Sequence, residues 1–257
     1  MVKKAQKNLW FSNVVILAVV CCLAGCDPQD TDLNMAYGRH LPPDAPEVVL
    51  VSMAGWTQTA GTMRRIEREM IQQISASLPN HRITVKRRII GLLPVGDSEL
   101  FLGLEYEAWK QKKKTTAGRH NQFVAVGHSS GATAIYGLLK NGTFKNGPNA
   151  PTFLGLVDMK LPIGPHDLTG KITHNGTRRT QIVHYYASGT DNIKGIRNIV
   201  VGGDHFSVVN FRTVTQGLAA QAVNACLQNV NPNMDAGNND SSVTDWNPRD
   251  LGPSWDM

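Results

Sequence analysis

The chain has 257 residues, 41% of them hydrophobic and 18% charged, which is enough for one α/β domain with a sizeable core. Its formal charge of +6 is carried partly by Lys3, Lys4 and Lys7, in a stretch (residues 1–25) with no acid; without that stretch, 23 basic side chains face 20 acidic ones. So small an excess argues against a nucleic-acid partner.

Residues 1–26 divide into a basic segment, an apolar stretch from Val14 to Val20, and Leu23-Ala24-Gly25-Cys26. The division is that of a secretory signal, to be set apart from the fold. An ordinary cleaved signal or a membrane-spanning helix are the alternatives, though the apolar stretch is short for a span. The segment resembles a bacterial lipobox. That resemblance implies a signal peptide over 1–25, a lipid on Cys26, and a protein anchored to a membrane of the bacterial envelope, facing the periplasm or the exterior. Asp27 then stands second in the mature chain, where an Asp tends to retain enterobacterial lipoproteins in the inner membrane. Of the four cysteines only Cys226 would remain as a thiol, so no structural disulfide is expected.

Residues 26–46 are polar, with prolines near their end, and read as a tether. Val48 to Met53 is a continuous apolar run, as a strand buried on both faces would be, and the turn Ala54-Gly55-Trp56 follows. Met63, Ile66, Met70, Ile74 and Leu78 recur at helical spacing until Pro79. His81 to Ile90 alternates as a strand whose Lys86, Arg87 and Arg88 suggest a place near a sheet edge. Asp97 or Ser98 can cap a helix to about Lys113, and its basic end, Lys110 and Lys112 to Lys114, is expected to be solvated.

Phe123 to Lys140, FVAVGHSSGATAIYGLLK, holds the strongest local signal: a strand, then Gly127-His128-Ser129-Ser130-Gly131, then a helix. A serine at such a sharp turn sits in a strained backbone, and a Cβ at either glycine would collide with the chain crossing it. The following helix aims free N–H groups at the turn, so the N–H of Ser130 is a candidate oxyanion donor.

Thr152 to Val157 is a further strand, ending at Asp158. Residues 159–180 have no clear period and are expected to form a long loop, of the kind that often serves as a lid or binding wall. Gln181 to Ala187 reads as a strand closed by Ser188-Gly189-Thr190-Asp191, and Asn198 to Val201 as the last strand, before Gly202-Gly203-Asp204-His205. A helix from about Phe206 to Val230 completes a domain over 47–230, with Cys226 buried and inert on its apolar stripe. Residues 231–257 are rich in Asn, Asp and Pro and read as a disordered tail. Alternating strands and helices predict an α/β fold: a mostly parallel sheet with helices on both faces and reactive groups at the strands' C-terminal ends.

A serine hydroxyl needs a base, an acid that orients the base, and fixed donors for the oxyanion. The order Ser129, Asp191, His205, with acid and base on turns after late strands, resembles the α/β-hydrolase family. The resemblance covers Val48 to Val230 and implies a compact hydrolase fold without a large cap domain. It implies Ser129 as nucleophile, Asp191 as acid, His205 as base, and the N–H groups of Trp56 and Ser130 as oxyanion donors. Two departures stand out: the family's His in the first turn is Met53 or Ala54 here, and only thirteen residues separate Asp191 from His205, too few for the usual helix.

Asp158 is the rival for the acid, since some members of the family draw it from that place. Asp204 is expected to point away from His205 as a surface group, because neighbours leaving a strand diverge. His128 is expected to pack or line a pocket, His184 to be a satisfied core histidine, and His166 and His174 to face solvent, with substrate contact as the alternative. No spacing of His, Cys and Asp suggests a metal site, and no phosphate or dinucleotide loop is present, so no cofactor is expected. The sequence thus leads to a membrane-anchored serine hydrolase acting on a lipid or small-molecule carboxylic ester. Thioesterase or amidase chemistry, and a non-catalytic envelope lipoprotein that binds through a hydrolase scaffold, are the alternatives.

Overall fold

The computed structural model describes residues 31–32, 41–42, 44–55, 57–89, 95–114, 120–144, 149–159, 166–169, 180–187 and 192–231. The strands are β1 (Thr31–Asp32), β2 (Glu47–Ala54), β3 (Arg82–Ile89), β4 (Gln122–His128), β5 (Phe153–Val157), β6 (His166–Asp167), β7 (Gln181–Tyr186), β8 (Ile193–Lys194) and β9 (Arg197–Val200). The α-helices are α1 (Thr57–Ser77), α2 (Val95–Lys113), α3 (Ser130–Lys140) and α4 (Arg212–Val230). Seven strands form one sheet in the order β1-β3-β2-β4-β5-β7-β9, parallel throughout except for β1 against β3. β6 and β8 make a separate two-stranded sheet.

The period-2 geometry of a strand explains why the central strands carry apolar residues on both faces. In β2, Val48, Leu50 and Ala54 join the core on one face, while Val49, Val51 and Met53 join that on the other. β4 divides in the same way, Val124 and Val126 from Phe123 and Ala125. The first face is covered by α1 and α4, through Met63, Ile66, Met70 and Ile74 and through Val214, Leu218, Ala222 and Cys226. Burial pushes the Cys226 thiol up to about 12, as an inert core cysteine requires.

The second face is covered by α2 and α3. Trp109 and Tyr106 of α2 stack at 5.7 Å between ring centroids, and Tyr106 meets Phe123 edge-on at 5.5 Å. Each fully buried ring stabilises the fold by roughly 1.5–3 kcal/mol. The basic end of α2 is less free than its composition suggests. Lys112 Nζ lies 3.1 Å from Glu47 Oε2 at the start of β2, and Lys110 and Lys113 lie over the rings of Tyr106 and Trp109 at 4.8 and 4.6 Å. The Lys112–Glu47 pair fastens the helix end to the sheet, while the two ring contacts lie within the helix itself.

β3 lies near the sheet edge, flanked on its outer side by the two-residue β1 alone. Two of its arginines are held by the helices: Arg87 Nε donates to Glu67 of α1 at 2.5 Å, and Arg88 lies over Phe101 of α2 at 5.2 Å.

Several stretches depart from expectation, among them Thr31–Asp32, which lies in the expected tether yet pairs with β3, and α2, which starts at Val95, ahead of the caps expected at Asp97 or Ser98. Within 159–180, His166–Asp167 pairs in parallel with Ile193–Lys194. The final helix starts at Arg212, six residues later than its apolar pattern suggests, after a 3₁₀ turn at Val208–Asn210. The delay has a local cause. Asp204 Oδ1 accepts the N–H groups of Phe206 (2.8 Å) and Ser207 (2.9 Å), and Ser207 Oγ accepts the N–H of Asp204 (2.9 Å). This reciprocal cap holds residues 204–207 in a turn that competes with the helix.

Candidate active site

β4, the middle strand of the sheet, ends at His128, and Ser129 makes the turn into α3 at φ 56° and ψ −119°. A serine in this region is strained, and the strain persists because the surroundings leave no alternative. A Cβ on Gly127 would run into the carbonyl group of Gly131, and one on Gly131 would meet the backbone and Cβ of Met53. Ser129 N–H donates to Val157 O at 3.0 Å, while its own carbonyl accepts the N–H of Thr133 at 3.0 Å. Both sides of the turn are thereby fixed.

Gly55, after β2, serves the same serine from above. A Cβ there would stand 2.6 Å from Ser129 Cβ and 3.1 Å from Oγ, so only glycine leaves the hydroxyl clear. Its signal in the sequence is the small turn directly after an apolar strand.

Ser129 Oγ lies 2.9 Å from His205 Nε2. The other ring nitrogen, Nδ1, is hydrogen-bonded to Asp158 Oδ2. This corrects the expected acid: the carboxylate on His205 is that of Asp158, whereas Asp191 lies outside the described residues. Asp158 is completely buried, at φ 39°, and its second oxygen, Oδ1, accepts the N–H of Ala187 at 3.0 Å. Burial pushes its pKa up. The hydrogen bonds from His205 and Ala187 and the charges of His205 and His128 outweigh that and hold the carboxyl below its ordinary value.

His128, also fully buried, places Nε2 2.9 Å from the backbone carbonyl oxygen of His205, with the two rings 4.8 Å apart at 32°. Phe206 is half-exposed and presents its ring to His205 at 5.2 Å and 74°. Neither contact has a local signal in sequence. Asp204 is exposed, as expected of a surface group, and its cap shapes the turn that carries the base. The hydrogen bonds from Ser207 and Phe206 N–H lower its pKa.

Ser130 opens α3, where its N–H precedes the intrahelical ladder. Trp56, the other expected donor, and Cys26 lie outside the described residues, as does His174. His184 is a core histidine but only partly satisfied: Nδ1 lies 3.2 Å from Asn198 Oδ1, while Nε2 has no hydrogen-bond partner among the described residues, and burial lowers its pKa. His166 departs from expectation: it is buried, with its ring edge-on to Tyr136 at 5.7 Å, because β6 docks on β8 and brings it under cover. The thirteen residues between Asp191 and His205 contain β8 and β9 and no helix.

Among the described residues, no group of His, Cys, Asp and Glu is arranged to hold a metal ion, and no helix is long and apolar enough to cross a membrane. A mostly parallel sheet, helices on both faces and a strained serine turn after the middle strand make this an α/β-hydrolase fold. No family model matches the sequence, and no curated protein matches it. Among solved structures the chain is similar to a cutinase-like protein from Cryptococcus sp., at 16% identity over 74% of this chain and 98% of that one, with a TM-score of 0.43. It is similar to YbtT, a type II thioesterase from the yersiniabactin NRPS/PKS biosynthetic pathway, at 12% identity over 74% and 97% of the two chains, TM-score 0.41. It is likewise similar to the esterase Pf2001 of Pyrococcus furiosus, at 9% identity over 72% and 84%, TM-score 0.43.

Proposed function

We propose that the protein is a serine hydrolase that cleaves carboxylic esters through an acyl-enzyme on Ser129, with His205 as base and Asp158 as acid. The observation that carries this reading is the relay itself: Ser129 Oγ 2.9 Å from His205 Nε2, and a buried carboxylate on Nδ1 of the same ring. A carboxylate at Nδ1 sets the tautomer, since the proton stays on Nδ1 in a hydrogen bond to Asp158 and leaves Nε2 as the acceptor for the serine proton.

Ser129 Oγ attacks the ester carbonyl carbon as its proton passes to His205 Nε2, and the carbonyl π electrons move to oxygen. The Ser130 N–H at the head of α3 would stabilise that oxyanion, with Trp56 N–H as the second donor. Collapse of the tetrahedral intermediate breaks the bond to the alkoxy oxygen, which takes the proton from His205 and leaves as the alcohol. Water repeats the sequence on the acyl-enzyme, giving up a proton to His205 and releasing the acid and free Ser129. Asp158 stays ionised throughout and stabilises the imidazolium.

The substrate we assign is an ester with an apolar acyl or alkyl portion. Phe206, half-exposed and edge-on to His205, is an apolar wall beside the base, where a chain leaving the scissile carbonyl would run. Thioesters and amides meet the same groups and differ in the leaving atom alone. Lipid attachment at Cys26 is part of the proposal and would keep the enzyme at an envelope membrane, near lipid esters.

The test is fluorophosphonate labelling of the full chain in detergent, comparing wild type with Ser129→Ala, His205→Ala and Asp158→Asn. Labelling of the wild type that vanishes without Ser129 or His205 supports the reading. Well-folded wild type that does not label removes it and favours a binding scaffold.

A further inference from the structure

We infer that His128, the residue immediately before the nucleophile, is a positioning residue that holds the catalytic base in register with Ser129 through the backbone of His205. This deepens the proposed serine-hydrolase reading and rests on it.

The geometry is specific. A carbonyl oxygen can only accept, so at 2.9 Å from His205 O the Nε2 of His128 carries the hydrogen and donates it. The ring is fully buried and lies 4.8 Å from the His205 ring, tilted by 32°. Burying an imidazole costs free energy unless its polar atoms are partnered, so a position used for packing alone would favour an apolar side chain. One of the two ring nitrogens, Nε2, is partnered by the bond it makes across 77 residues of chain.

His205 needs such a tether because it sits in a turn. It follows Gly202 and Gly203, both at positive φ, and precedes the 3₁₀ turn at Val208–Asn210. On the far side the Asp204 cap holds Phe206 and Ser207, but that cap is internal to the turn and does not relate the turn to Ser129. The bond from His128 does. Its donor belongs to the residue bonded covalently to the nucleophile, so the positions of Nε2 of the base and Oγ of the serine are referred to one short piece of backbone. The bond from Asp158 to Nδ1 fixes the ring's rotation, and the bond from His128 fixes the backbone that carries the ring. Proton transfer at 2.9 Å is sensitive to displacements well below the size of a side chain, and a shift of about 1 Å can cost on the order of a hundredfold in rate.

The experiment compares His128→Gln, which retains a donor of similar reach, with His128→Met, of similar length and no donor, and His128→Phe, a flat ring with no donor. Turnover of a soluble p-nitrophenyl ester and the rate of fluorophosphonate labelling are measured on the full chain in detergent, alongside melting temperature. The expected result is a fall of about ten- to a hundredfold in kcat and labelling rate for Met and Phe, with KM within about twofold of wild type. Gln should stay within about threefold of wild type. A role in stability alone would lower the melting temperature and leave kcat of the folded protein unchanged. If Phe does not fold, the Gln and Met pair decides the matter. Met or Phe with wild-type kcat, or Gln as slow as Met at an unchanged melting temperature, would overturn the inference while leaving a labelled wild type and the triad intact. An unlabelled wild type would instead overturn the triad, and this inference with it.

Discussion

Ser129 and Asp158 are the residues immediately after His128 and Val157, which are register partners on the adjacent parallel strands β4 and β5, and both leave their strands at positive φ (56° and 39°). The nucleophile and the carboxylate on the base are thus built by the same device on neighbouring strands. The chain turns sharply at each, and the Ser129 N–H bonds back to Val157 O, which joins one turn to the other. Ala187, the residue directly after β7, completes the arrangement by donating its N–H to the carboxylate.

From this pairing we predict that Asp158→Asn lowers kcat by about 10³-fold or more, because the amide can hold the ring in the wrong tautomer and cannot stabilise the imidazolium. Asp191→Asn is expected to stay within about threefold of wild type. Steady-state kinetics on an aryl ester, with both variants side by side, checks the assignment; the reverse order of effects would return the acid to Asp191.

Gly55 is expected to be intolerant of any side chain. Its substitution by Ala puts a Cβ 2.6 Å from that of Ser129, an overpacking that costs about 1–3 kcal/mol or displaces the nucleophile. Gly61→Ala is the control. That glycine lies in α1 with nothing within 4 Å of the added Cβ, and alanine there should stabilise by about 0.5–1 kcal/mol. Thermal melts of the two variants should shift in opposite directions.

The pH dependence of stability follows from the lowered pKa of Asp158. In the folded protein the carboxyl releases its proton more readily than in the unfolded chain, where its pKa is about 3.9. Its contribution to stability is therefore fully present above that value and is lost as pH falls through the folded pKa. Wild type and Asp158→Asn should consequently converge in melting temperature as the pH is lowered from about 5 towards 2.5. A gap that stays constant over that range would contradict the linkage.

Phe206 is expected to govern chain-length preference without supporting the fold, since half of it faces solvent. Phe206→Ala should leave the melting temperature unchanged and lower kcat/KM for long-chain esters by about tenfold relative to acetyl esters. A series of p-nitrophenyl esters from acetyl to decanoyl measures the ratio, and an equal loss for every chain length would remove Phe206 from the acyl path.

The parts of this protein that were legible in the sequence are those whose physical cause is local. Gly127 precedes the serine because the chain crosses itself within that short turn, at the carbonyl group of Gly131, whereas Gly131 is required by the non-local approach of Met53; Met53, Val124 and Val126 are apolar because their strands are covered on both faces. The periodicity of Met63, Ile66, Met70 and Ile74 places one face of α1 in the core for the same kind of reason. The start of α4 was misread where another local cause, the Asp204 cap, competed with an apolar period.

The choice of acid belonged to the tertiary structure. Asp158 and Asp191 each follow a strand, and no local pattern separates them. What decides is that β5 lies directly beside β4, that Asp158 turns at φ 39°, and that Ala187, just after β7, donates to its Oδ1. His128 was undecidable for the same reason: its partner, the carbonyl of His205, is 77 residues away and becomes a neighbour only when β4 and the turn after β9 are brought to one end of the sheet. Side-chain type and local period determine which segments become strands, helices and turns. Which turn faces which depends on strand order, and hydrogen-bond partners between turns follow from that order alone.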